Sequence, residues 1–205
     1  MNWLSKVACS IAVTAMPFSV HASAKDTSFT DSAGHRVQQI RLDVDAPVVK
    51  VWWALTTSEG FRTWAAPVAE VALGNDGMIE ASYRMTAKIG DPDNIRNRIV
   101  AYMPEHLLIL KNEHAPKNAP FSADAFGKIR TIIELEDMGG GKTRVIESSI
   151  GYGEGKEFDS VYTHFRSGNA EEFALLEKSL TKGPIDWKAE FAEAAAPMQQ
   201  ATAAK

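Results

Sequence analysis

Between positions 155 and 182 apolar residues return at steps of three, four or seven: Phe158, Val161, Tyr162, Phe165, Phe173, Leu176 and Leu180. That spacing lays them along one stripe of a 3.6-residue helix, with Glu157, Arg166, Glu171, Glu172, Glu177 and Lys178 largely off it. The pattern predicts a long helix over 155–182. Its end is marked by Lys178 and Lys182, which suit the negative end of the helix dipole, then by Gly183 and Pro184. One fault interrupts the stripe. Gly168 costs a helix roughly 1 kcal/mol relative to alanine, and Asn169 stands where a hydrophobe is due.

Upstream the period changes. Residues 35–44 place Ile40, Leu42 and Val44 on one face and read as a strand. Asp45-Ala46-Pro47 then opens a helix with proline at its first position, and Val48, Val51, Trp52 and Leu55 share one side. Thr56-Thr57-Ser58-Glu59 ends it and caps a second short helix through Arg62, closed by Trp64-Ala65-Ala66-Pro67. From Val68 a period of two predicts strands over 68–73, 78–86, 94–102, 106–112, 128–136 and 143–152. Residues 74–77 form a turn, and 90–93 and 114–125 form loops. The order is strand, two short helices, six strands, long helix. An antiparallel sheet followed by one amphipathic helix covers one face with that helix. The expected class is α+β: a curved antiparallel sheet of about seven strands wrapped around the C-terminal helix. The domain spans 35–187, after a flexible lead at 25–34 and before a mobile tail at 188–205.

Composition adds a destination. Lys6, the apolar run from Val7 to Met16, Pro17 and Ala22-Ser23-Ala24 have the layout of a secretory signal peptide cleaved after Ala24. The run is too short to span a membrane and remain there. Cys9 is the single cysteine and leaves with this leader, so disulfide and thiol chemistry are not expected in the mature chain. The expected location is outside the cytoplasm, in the periplasm if the host is Gram-negative. A net charge of -4 with scattered basic residues points away from nucleic acid as a partner.

Three lookalike motifs fall away. Gly139-Gly140-Gly141-Lys142-Thr143 resembles a phosphate loop, but Glu136 stands where its first glycine belongs, and the segment joins two strands rather than leading into a helix. Residues 90–94 lack the later glutamate and central glycine of a calcium loop. His35, His106, His114 and His164 show no metal-ligand spacing. Neither a metal, a cofactor nor ATP is expected, and a Gly-x-Ser-x-Gly motif is lacking.

Ala46-Pro47, Val51-Trp52, Ala54-Leu55-Thr56-Thr57, Gly60-Phe61 and Trp64 together resemble the opening of the SRPBCC superfamily, the START-like or birch-pollen-allergen-like helix-grip proteins. Tyr102-Met103-Pro104, Thr143-Arg144-Val145, Gly151-Tyr152-Gly153, Phe165-x-x-Gly168-Asn169 and Gly183-Pro184-x-x-Trp187 agree with it. Within the superfamily the chain is most similar to the bacterial branch related to activators of the heat-shock-protein-90 ATPase. The resemblance covers 35–187 and implies a cavity between the concave sheet face and the long helix. It names a fold and leaves the activity open, because the superfamily includes lipid carriers, hormone binders, polyketide cyclases and oxygenase subunits.

Candidate lining residues are Phe61 and Trp64 at the helix corner, Tyr83 and Met85 on a strand, and Phe165, Asn169 and Phe173 on the long helix; each aromatic serves equally as core. Glu147 joins them conditionally. Val145, Glu147 and Ser149 share one face of their strand; Ile146, Ser148 and Ile150 share the other. If Val145 faces the helix, Glu147 is a buried carboxyl with a perturbed pKa; otherwise it is solvated. The solvated orientation is favoured, because unpaired buried carboxylates are rare. At Gly168 two readings stand: an open approach to the helix backbone, or relief of a crowded contact.

The resulting expectation is a non-catalytic, secreted or periplasmic protein, monomeric or weakly dimeric, that binds a small apolar or amphipathic molecule. The alternative is a polyketide cyclase- or dehydratase-like enzyme using the same cavity. A protein-interaction module, suggested by the chaperone-activator kinship, ranks third.

Overall fold

A computed structural model describes residues 24–74 and 76–192. The leader expected at 1–24 therefore lies almost wholly outside the described residues, as do Asn75 of the predicted turn and the tail from 193.

Among the described residues up to 182, nine antiparallel strands and four helices follow one another in the order β1 (Lys25–Asp26), β2 (Phe29–Thr30), β3 (Arg36–Val44), α1 (Val48–Thr56), α2 (Ser58–Arg62), β4 (Val68–Ala72), β5 (Met78–Ser82), β6 (Ile95–Met103), β7 (Leu107–His114), α3 (Ala123–Phe126), β8 (Arg130–Gly139), β9 (Lys142–Ile150) and α4 (Lys156–Lys182). The sheet runs β1-β3-β9-β8-β7-β6-β5-β4, with β2 also on β3. It is a curved open sheet gripping α4, the helix-grip architecture that the sequence predicts.

Seven strands have five or more residues; the two extra ones come from the segment expected to be a loose lead. Asp26 pairs with Ile40 and Phe29 with Val37, so this segment extends the sheet along β3. Two further details differ. Pro47 is the N-cap of α1 rather than its first helical residue. The loop expected over 114–125 gives way to the short helix α3, capped by Ser122, whose Oγ accepts from the Ala125 N–H.

The apolar stripe of α4 packs at both ends. Val161 meets Tyr152, Ile129 and Ala125 near its start. Phe173, Leu176 and Leu180 meet Ile40, Leu42, Val51, Leu55 and Val145 near its end. That second end is also tied by hydrogen bonds. Lys50 Nζ donates to the Leu180 carbonyl at 2.8 Å, one of the terminal carbonyls that lack a partner within the helix. Trp187 Nε1 donates to the Arg62 carbonyl at 2.8 Å, and Trp64 Nε1 to the Ala54 carbonyl at 2.9 Å. Residues 187–192 are helical. Among the described residues no helix is long and apolar enough to cross a membrane.

Candidate functional site

Between its two packed ends α4 stands off the sheet. The space beneath 164–172 is a cavity of about 190 Å³, walled by α1 and α2, by the concave faces of β5–β9 and by α3. Leu55, Phe61, Trp64, Ile79, Leu108 and Phe165 supply its apolar wall.

The strand alternation decides what faces inward. Val145 and Ser149 on β9 are fully buried, and Glu147 between them is 8% exposed. Glu147 therefore points at α4, and the solvated orientation favoured from the sequence is overturned. Its neighbours in register are Ile40 and Ile133, neither of which solvates a charge. Asn169 makes the orientation tolerable: its Nδ2 donates to Glu147 Oε1 and, at 3.0 Å, to Gln38 Oε1. Asn169 thus stands at the hydrophobic position of the stripe because its amide meets a buried carboxyl. Burial, reinforced by the nearby charge of Glu172, pushes the Glu147 carboxyl up to about 8; the Asn169 hydrogen bond opposes this. At neutral pH Glu147 is mostly a neutral acid.

Glu172, one turn beyond Asn169, is a second carboxyl on the cavity wall. It accepts from the Tyr83 hydroxyl at 2.5 Å. Burial raises its pKa, and the Tyr83 hydrogen bond opposes that. Tyr83 spans the rim: 44% of it is exposed, while its hydroxyl is held on Glu172. The charge of Glu172 and burial raise the Tyr83 pKa well above the ordinary tyrosine value.

Of the residues expected to line a site, Phe61, Trp64, Tyr83, Glu147, Phe165 and Asn169 come together on this wall. Two do not. Phe173 is 2% exposed and belongs to the packed cluster at the end of α4. Met85 is 54% exposed in a turn beyond β5, which ends at Ser82, so neither Tyr83 nor Met85 lies on a strand. Gly168 faces the cavity, and a Cβ there meets nothing within 4 Å. The crowded-contact reading of this glycine fails and the open approach stands.

Sequence reasoning missed Glu172, Asn97 and Asn112. Asn112 is 3% exposed, lines the cavity and leaves Nδ2 without a partner; Asn97, opposite it on β6, leaves Oδ1 without one. The signal was available: Leu108, Leu110 and Asn112 share one strand face, just as Phe165, Asn169 and Glu172 share one helix face. An orphaned buried amide costs about 1–3 kcal/mol, so these groups point to something that pairs with them. His164 also lines the cavity, with burial lowering its pKa. Among the described residues no group of three or more His, Cys, Asp or Glu is placed to hold a metal.

Comparison with known proteins agrees with the fold. The family described as activator of Hsp90 ATPase homolog 1-like protein matches residues 45–181. No match is found among curated proteins. Of solved structures, the Aha1 dimer from Colwellia psychrerythraea is similar at 17% identity and a TM-score of 0.57, over 72% of this chain and 97% of that one. CalU16 from Micromonospora echinospora is similar at 18% and 0.55, over 85% and 97%. EF2215 from Enterococcus faecalis, a conserved protein of unknown function, is similar at 15% and 0.55, over 86% and 91%. At these identities the likeness concerns the fold alone.

Proposed function

Since the chain belongs to the activator of Hsp90 ATPase homolog 1-like family, a helix-grip group whose shared fold leaves the activity open, we propose that it binds a small, largely apolar molecule between the sheet and α4, outside the cytoplasm. The observation that carries this reading is the cavity itself: apolar on most of its wall, polar at a few points, and edged by the unpaired amide of Asn112. A site built only as core would have closed over these groups or paired them. The ligand enters at the rim where Tyr83 is exposed and lies along Phe61, Trp64 and Phe165.

Native mass spectrometry of the mature protein, made in its own cell, tests the reading. The expected spectrum carries a small-molecule adduct lost on Gly168→Leu, which projects a side chain into the space. An adduct-free spectrum, together with no binding of apolar probes, overturns it. The same sample tests the leader. Export predicts Lys25 as the first residue; an intact Met1 in the cytoplasmic fraction removes the periplasmic part of the proposal.

One observation favours a second use of the cavity. Glu147, Glu172 and Tyr83 bring three titratable groups to one part of its wall. That convergence suits a cyclase- or dehydratase-like enzyme, in which a neutral acid and an ionised base act on one bound molecule. Loss of turnover in Glu147→Gln with affinity retained would support it; retained turnover would remove it.

A further inference from the structure

The two carboxyl groups on the cavity wall have neutral hydrogen-bond donors and, among the described residues, no counter-charge. Glu147 receives Asn169 Nδ2, and Glu172 receives the Tyr83 hydroxyl. Among the described residues, the ion pairs formed by Lys, Arg and His engage other carboxylates: Asp26, Asp31, Asp43, Asp45, Asp76, Asp93, Asp159, Glu80, Glu113, Glu136 and Glu190. Neither cavity carboxyl is in that group. Arg36, the guanidinium that faces the Tyr152 and Tyr162 rings, is bound to Asp159. Glu147 is buried and Glu172 half-buried; holding two carboxyls so far from water without a cation is costly, and a ligand that brings the missing charge reduces the cost.

We propose that the ligand of this cavity is an organic ammonium ion with an apolar body, its charged head seated between Glu147 and Glu172. The inference rests on the ligand-binding reading above and names the chemical class. A metal ion fits poorly, because a hard cation asks for six or more oxygen ligands and, among the described residues, no group of three or more His, Cys, Asp or Glu is placed to hold one. An alkylammonium needs few hydrogen bonds and is attracted to ring faces, which Tyr83, Phe165 and Trp64 supply nearby.

A second, independent observation defines the far end. Asn112 lies two strands across from Glu147 and four residues along, a backbone separation of roughly 16 Å by strand geometry. Its free Nδ2 and the free Oδ1 of Asn97 offer one donor and one acceptor, which a single ligand hydroxyl satisfies together. The ligand is therefore elongated, cationic at one end and hydroxylated at the other.

Seating a cation also moves a proton. The titratable groups that act on Glu147 are Glu172 of α4 and Tyr152 beyond β9; Tyr83 and Glu171 act in turn on Glu172, Glu171 on His164, and Ile40 and Ile133 flank Glu147 in the sheet. With His164 lowered by burial and both tyrosines raised, Glu147 is the group that responds near neutral pH. Glu147 is mostly protonated without ligand and ionises beside the ammonium, so binding at pH 7 releases a proton, at most about one per complex.

Four probes share one eight-carbon body: octylamine, octanol, octanoate and 8-aminooctanol, titrated calorimetrically into the mature protein at pH 7 in two buffers of different ionisation enthalpy. Octylamine is expected to bind about tenfold or more tightly than octanol, with octanoate weakest, and with a buffer-dependent heat that reports proton release. 8-Aminooctanol is expected to bind tighter still, by a margin that Asn112→Leu removes. Glu147→Gln and Glu172→Gln are each expected to erase the preference for the amine and leave octanol binding unchanged. Because the two variants are independent, one that fails to fold leaves the other as the test. Octanol binding as tightly as octylamine, or octanoate binding best, overturns the ammonium proposal and leaves the cavity reading standing. None of the four binding overturns both.

Discussion

The end of α4 and its middle cover the same sheet, yet they are built on opposite terms. At the end, Phe173, Leu176 and Leu180 interlock with Leu42, Val51 and Val145 in an apolar cluster. In the middle, Gly168, Asn169 and Glu172 stand over Glu147 and the orphaned amides of β6 and β7, with room left between. The first arrangement contributes stability through packing; the second gives some of it up. The difference teaches where this fold can hold a ligand: where the helix stripe turns polar and the facing strands turn polar with it.

That contrast is open to measurement. The largest expected effect is in pH dependence. The folded-state pKa of Glu147, about 8, lies above its ordinary value of 4.5. The native state therefore binds more protons than the unfolded chain between these values. Its contribution is fully present below about pH 4.5 and is lost as pH rises through 8. The loss amounts to at most roughly 5 kcal/mol, because each tenfold change in proton affinity is worth about 1.4 kcal/mol. Urea melts of the ligand-free protein at pH 5 and pH 9 measure it, and Glu147→Gln should flatten the difference; an equally steep profile in that variant would show that the polar middle is not its source.

Next comes the packed end. Leu176→Ala is expected to destabilise by about 3 kcal/mol, since Leu176 is fully buried among neighbours fixed by the sheet. A loss under about 1 kcal/mol would mean that this end is as loose as the middle. Asn112→Leu should run the other way. Replacing an orphaned amide by a hydrocarbon of similar size is expected to raise stability by about 1 kcal/mol, read as a higher denaturation midpoint. The smallest effect belongs to Gly168→Leu. It adds helix propensity and its Cβ meets no atom within 4 Å, so stability should shift by less than about 1 kcal/mol while affinity for any cavity ligand collapses.

Much of this was legible beforehand, for identifiable reasons. Period fixes an element's type, so α4 was predictable to within one residue at its start, and the order of the long strands followed. Period does not fix which face of a strand turns inward when both faces carry apolar and polar residues. Along β9, Ile146 and Ile150 competed with Val145, and general rarity favoured a solvated Glu147. The outcome was decided by Asn169, which is 22 residues away in sequence and one hydrogen bond away in space. The short strands β1 and β2 were missed because two-residue pairings carry no periodic signal.

The chain alone thus determined the helix-grip order, the apolar stripe of α4 and the fault at Gly168-Asn169, all consequences of local spacing and backbone freedom. Only the tertiary structure decided that the fault faces an open cavity and that, among the described residues, Glu147 and Glu172 share its wall without a counter-charge and Asn97 and Asn112 each keep an unpaired amide atom. Burial and electrostatic partnership depend on distances between segments far apart in sequence, and no local pattern encodes them.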